Sequence, residues 1–174
     1  MKVFYKILHF FILIICLLLQ IVFFEYLKSF SVNFDLVMVV IIAVALFDGT
    51  FWGILFGFAV GMVLDLMIGD IIGISALIYS INAFIVARLI TSGFKFKYLT
   101  YSFIIFLVTE INVLIVSLIR YLFNFNSNWL QMGLELVTKP VFNIILMFII
   151  FPIISISSGM NAEIEFGFKY KNKI

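Results

Sequence analysis

Six apolar runs separated by short polar breaks decide what this chain can fold into. They cover about residues 7–24, 33–47, 51–68, 72–90, 99–122 and 134–156, and a polar tail follows over 157–174. A membrane-spanning helix needs about 20 residues. The runs therefore predict an all-α integral membrane protein with six transmembrane helices, folded as a single transmembrane domain over 1–174. Composition closes off the alternatives. The chain is 66% hydrophobic and 11% charged, whereas a soluble domain carries about 25% charged residues. A soluble fold of this size has too much surface to hide so much apolar side chain. Disorder is excluded because disordered chains are poor in apolar residues.

Two runs need comment. The first follows Lys2 and Lys6 and has the outline of a signal peptide. It is long for one, and only the weak Ser29-Phe30-Ser31 pattern follows it, so a retained helix is expected. The second has an unbroken apolar stretch of only 12 residues, Leu36–Phe47. Its length of about 18 Å falls short of a hydrocarbon core of about 30 Å. It either begins earlier, near Val32, or is only partly inserted.

The basic residues orient the spans. With six crossings and both termini cytoplasmic, Lys2, Lys6, Arg88, Lys95, Lys97, Lys169, Lys171 and Lys173 share the cytoplasmic side, and only Lys28, Arg120 and Lys139 lie opposite. A net charge of +2 is too small to suggest a nucleic-acid partner. The single cysteine, Cys16, and the single histidine, His9, preclude an internal disulfide and a His/Cys zinc site. No cofactor and no metal are expected.

Small and polar residues inside the runs carry the remaining information. Gly53, Gly57, Gly61 and Asp65 recur every four residues. That spacing lets helix backbones approach closely, either inside this molecule or against a partner's helix. Asp65 is ionisable near membrane depth and should face a partner or water. Glu110 sits near the middle of the fifth run, facing the same way as Ser117. It is expected to be either paired or neutral in apolar surroundings, with Tyr79 and Asn82 on the fourth run as candidate partners, since Ser75, Tyr79 and Asn82 share a face. Glu135 and Lys139 have the i, i+4 order of a helix ion pair. Pro140 should bend the sixth helix, with Thr138 or Asn143 available to satisfy the backbone groups it frees. A catalytic constellation is not found. Gly73-Ile74-Ser75-Ala76 has no histidine within reach. Asp65 and Asp70 point about 140° apart on one helix, whereas paired-carboxylate chemistry needs convergence.

One stretch resembles a known family. Asp35-Leu36, a hydrophobic run, Gly49, then Gly53, Gly57, Gly61, Asp65-Leu66, Gly69, Gly73 and Ala76-Leu77 together resemble the rod shape-determining protein MreD family. Phe34 stands where that family often has proline, and Ile71-Ile72-Gly73 replaces its frequent Pro-Leu-Gly. The resemblance implies a non-catalytic scaffold in the bacterial inner membrane, part of the cell-elongation machinery that builds peptidoglycan. Its implied partners are an MreC-like membrane protein, MreB, RodA with its penicillin-binding-protein partner, and membrane lipid. It also implies a helical arrangement similar to the substrate-binding subunits of energy-coupling-factor transporters. A vitamin-binding transporter subunit is therefore the alternative function. Such subunits usually carry an Ala-x-x-x-Ala docking motif on the first helix, and the run Ile7 to Phe24 contains no alanine.

Overall fold

The computed structural model describes residues 2–27, 34–68, 71–91, 98–123 and 129–157. Lys28, Gly69, Asp70, Lys95, Lys97 and the lysines of the C-terminal tail lie outside the described residues. The described chain is six α-helices: α1 (Lys2–Leu27), α2 (Leu36–Phe47), α3 (Thr50–Ile68), α4 (Ile74–Thr91), α5 (Tyr98–Leu122) and α6 (Trp129–Ser157). Four of them, α1, α3, α5 and α6, contain stretches long and apolar enough to cross a membrane, and α2 and α4 are shorter apolar helices. The molecule is a helical, multi-pass membrane protein.

Helix ends depart from expectation where no strong stop signal exists. The sixth helix starts at Trp129, ahead of the run over 134–156, and takes in Gln131 and Gly133. Neither residue blocks helix geometry, and an interior glycine costs only about 1 kcal/mol relative to alanine. Conversely, α2 does not begin near Val32; it starts at Leu36 because Asp35 caps it, accepting from the Met38 N–H. α6 runs through Pro140 and Pro152 without interruption. The Thr138 hydroxyl donates to the Leu134 carbonyl, and Asn143 bonds elsewhere. Neither therefore serves the Leu136 carbonyl, which loses its donor at Pro140.

Contacts set the helix directions. Gly53 packs on Ala45 and Gly57 on Ile41, so α2 and α3 are antiparallel. Gly61 packs on Ala76 and Gly57 on Tyr79, so α3 and α4 are antiparallel. His9 meets Asp48 and Gln20 meets Val37, which makes α1 antiparallel to α2. Ser102 reaches Met147 and Thr109 reaches Asn143, which makes α5 antiparallel to α6. Asp35 lies by Asn143 and Phe47 by Phe151, so α2 and α6 run parallel. The start of α1 and the end of α6 consequently lie at the same end of the bundle.

At its centre is the short helix. Every residue from Leu36 to Leu46 is buried, enclosed mainly by α1, α3, α4 and α6. A helix that is apolar all round belongs in a core or a membrane; α2 is in the core of one. The outward faces of α1 and α5 are rows of exposed Leu, Ile, Val and Phe, as a lipid-facing surface requires.

Candidate functional site

A buried half-length helix presents a problem that a full-length one does not. Its end groups fall inside the protein, where water is scarce and each unpaired N–H or C=O is costly. The side chains around the start of α2 answer that need. The Val37 N–H donates to Gln20 Oε1 at 2.8 Å, and the Met38 N–H to Asp35 Oδ1 at 3.0 Å. The Val39 N–H reaches the Asp35 carbonyl at 3.2 Å. The Asp35 N–H itself donates to Asn143 Oδ1 at 2.8 Å.

A network spreads from there. Asp35 Oδ1 also accepts the Tyr79 hydroxyl at 2.8 Å and, more distantly, Gln20 Nε2 at 3.5 Å. Asn143 Nδ2 donates to Thr109 Oγ1 at 3.1 Å, and that hydroxyl donates on to the Ile105 carbonyl. Asn82 Nδ2 donates to Asn112 Oδ1 at 3.1 Å, while Asn112 Nδ2 points at Met38 Sδ. Residues from α1, α4, α5 and α6 thus converge on the first turn of α2. The helix dipole adds to this arrangement, since a carboxylate at a helix N-terminus is stabilised there.

Beside the network is a cavity of about 60 Å³, with Asp35, Tyr79, Thr109, Asn112, Lys139 and Asn143 in its wall. That is room for a few waters with polar partners on several sides. Pockets for small organic ligands are about 300–1,000 Å³. Lys139 pairs with Glu135 at 3.3 Å, the i, i+4 geometry expected of them. Among the described residues, no three His, Cys, Asp or Glu side chains are grouped to hold a metal ion.

The far end of α2 is held by a second pair. His9 Nδ1, on α1, contacts the Asp48 carboxylate just past the last turn, and His9 is completely buried. Gly49 follows with φ +98°, a left-handed conformation that favours glycine, and its carbonyl accepts the Gly53 N–H to open α3.

The glycine stripe faces inward. A Cβ on Gly53 would overlap Ala45, one on Gly57 would lie 3.1 Å from the Tyr79 backbone, and one on Gly61 would lie 2.6 Å from Ala76 Cα and N. Of the two readings of this stripe, packing within the molecule is the one realised. α2 and α4 occupy the face that a partner would need. Asp65 ends the stripe as a cap supplied from another helix. Its Oδ2 accepts the N–H groups of Gly73 at 2.9 Å, Ser75 at 2.9 Å and Ala76 at 3.3 Å. Gly73 sits at the N-cap position of α4 with φ +97° and has no side chain to cap with, so Asp65 supplies the acceptor that this position lacks.

Glu110 is the correction. Neither proposed partner reaches it, because Tyr79 bonds Asp35 and Asn82 bonds Asn112. The buried stripe of α5 runs through Tyr101, Ile105, Val108 and Asn112, and Glu110 lies roughly 170° around the helix from it. Five contributors to the two joints of α2 went unpredicted: Gln20, Asn112 and Asn143 at its start, His9 and Asp48 at its end. Only the family resemblance singles out Asp35 in the sequence. The available signal was the isolated polar residue inside an otherwise apolar run, present in α1, α4, α5 and α6 alike. Comparison of the chain with protein-family models, with curated proteins and with solved structures finds no match.

Proposed function

We propose that the chain is a non-catalytic scaffold of the bacterial cell-elongation machinery, crossing the inner membrane six times with both termini in the cytoplasm and binding an MreC-like membrane protein. The observation that carries this reading is where the MreD-like residues sit. Asp35 caps α2, Gly49 and Gly73 open α3 and α4, Gly53, Gly57 and Gly61 admit neighbouring backbones, and Asp65 caps α4. The family-like pattern coincides with the joints of the α2–α4 unit. Because the glycine stripe is filled from within, the MreC-like helix docks on an outward face of the bundle. MreB, RodA and its synthase partner are reached through that complex or through the cytoplasmic loops. Lysines near the surface also attract anionic lipid, by about 1 kcal/mol each.

The small cavity weighs against a vitamin-binding transporter subunit, because about 60 Å³ is several-fold below the usual range for such ligands. A detergent pull-down from the native membrane separates the two readings. An MreC-like protein in the eluate, and rounded cells on depletion, are expected. An ATPase module in the eluate with normal cell shape would replace the scaffold by the transporter.

Topology has its own test. The helix directions place the start of α1 and the end of α6 together, in keeping with six crossings and with the basic asymmetry. With Cys16 replaced, single cysteines at Ser127 and Lys171 are expected to react with an impermeant thiol reagent from opposite sides. Reaction of both from one side would exclude the six-span arrangement.

A further inference from the structure

Glu110 is the twelfth residue of the 24-residue apolar stretch Leu99–Leu122, near mid-membrane. It is half-buried, and among the described residues no hydrogen bond or ion pair reaches it. An ionisable side chain at that depth is costly unless a partner or water meets it. It is also not isolated on its face. Phe103, Leu107, Glu110, Leu114, Ser117 and Tyr121 follow alternating steps of four and three residues, and every one is exposed or half-buried. That spacing is the seam of two helices packed at a shallow left-handed angle. Glu110 holds a central position in it, the kind of place where a single polar residue sets register.

We propose that this seam on α5 is a homodimer interface, in which Glu110 of one copy hydrogen-bonds Glu110 of a second copy of this chain. The membrane makes the match automatic. Two copies inserted in the same sense can be related by a closed two-fold only if its axis lies along the membrane normal. Their α5 helices then run parallel, and residue 110 meets residue 110 at equal depth. Facing side chains at equal depth can then meet each other and not the lipid. A different helix would need its own polar residue at that same depth and angle, whereas a second copy has it by symmetry.

The test uses the purified full-length chain alone, in phosphatidylcholine–phosphatidylglycerol vesicles, so its outcome is independent of whether an MreC-like partner exists. On a Cys16→Ala background, Ser117→Cys is expected to give a disulfide-linked dimer on mild oxidation. Ile115→Cys, exposed on α5 but about 120° off the seam, is expected to give little. Adding Glu110→Leu should lower the cross-linked yield about tenfold, the size of a good interhelical hydrogen bond in a membrane. Glu110→Gln should retain most of it, since facing amides pair with each other. Because Glu110 makes no internal hydrogen bond or ion pair among the described residues, both variants should keep the parent's unfolding temperature, which separates loss of pairing from loss of fold. Equal yields from positions 117 and 115, or full yield with Glu110→Leu, would overturn the proposal.

Discussion

Alanine at position 61 is expected to destabilise the protein by about 1–3 kcal/mol, while alanine at position 57 is expected to be nearly neutral. Both changes add one methyl group to α3 at positions one turn apart. In a helix interior, Gly→Ala alone gains about 1 kcal/mol. At Gly57 the new Cβ meets the Tyr79 backbone at 3.1 Å and Ile41 Cγ2 at 3.3 Å. A shift of a few tenths of an ångström relieves that, so the propensity gain and the crowding roughly cancel. At Gly61 the Cβ lies 2.6 Å from both Cα and N of Ala76. Those atoms are backbone, in the first turn of α4, and they cannot move without dragging the Asp65 cap with them. Overpacking of this kind costs about 1–3 kcal/mol and occasionally more, against a total stability of about 5–15 kcal/mol. Gly53 is expected to behave like Gly61, because its Cβ would lie 2.7 Å from Ala45 Cα. Leucine at Gly57 should also prevent folding, since a branched side chain cannot fit where a methyl group barely does. Gly133 supplies the opposite control. It is on α6 with nothing within 4 Å of an added Cβ, so Gly133→Ala should raise the midpoint slightly. Thermal unfolding in detergent ranks all four. A Gly61→Ala protein that melts with the parent would mean α3 and α4 are farther apart than described.

That ranking bears on what a single sequence reveals about such a molecule. The four-residue glycine period was legible, and so was its purpose of close approach. Which helices approach was not, because periodicity defines a face and not what lies opposite it. The same limit explains Glu110. Its shared face with Ser117 was readable, but in a membrane protein the core side and the lipid side are both apolar. Hydrophobic pattern therefore does not tell inside from outside, as it would in water. Helix α2 shows the limit most clearly. Its 12 apolar residues suggested a helix that begins earlier or one that is only partly inserted. Its burial on all sides became visible only once its end groups could be traced to Gln20, Asn143 and His9, residues 15 to 108 positions away or, for His9, contacting Asp48 39 positions on.

Removing the Asp35 carboxyl is the second change expected to have a large effect, and its physical cause differs from crowding. Asp35→Leu removes the acceptor shared by the Met38 N–H, the Tyr79 hydroxyl and Gln20 Nε2. Each donor left unpaired in a buried site costs about 1–3 kcal/mol. The Gln20 bond is long, and its loss should fall at the low end. The sum is still about 3–5 kcal/mol, because water from the adjacent cavity can replace only part of what is lost. Asp35→Asn keeps one oxygen in place to accept from Met38 and Tyr79, and should cost about 1–2 kcal/mol. Tyr79→Phe removes one donor and leaves the carboxylate its other two, so it should cost about 1 kcal/mol. The informative measurement is the double-mutant cycle. Once Asp35 is leucine, the Tyr79 hydroxyl has lost its acceptor, and deleting it should restore stability instead of reducing it further. Asp35→Leu with Tyr79→Phe is therefore expected to melt above Asp35→Leu alone. Additive losses would mean that the two groups do not share a bond, and that the start of α2 is held by Gln20 and Asn143 without them.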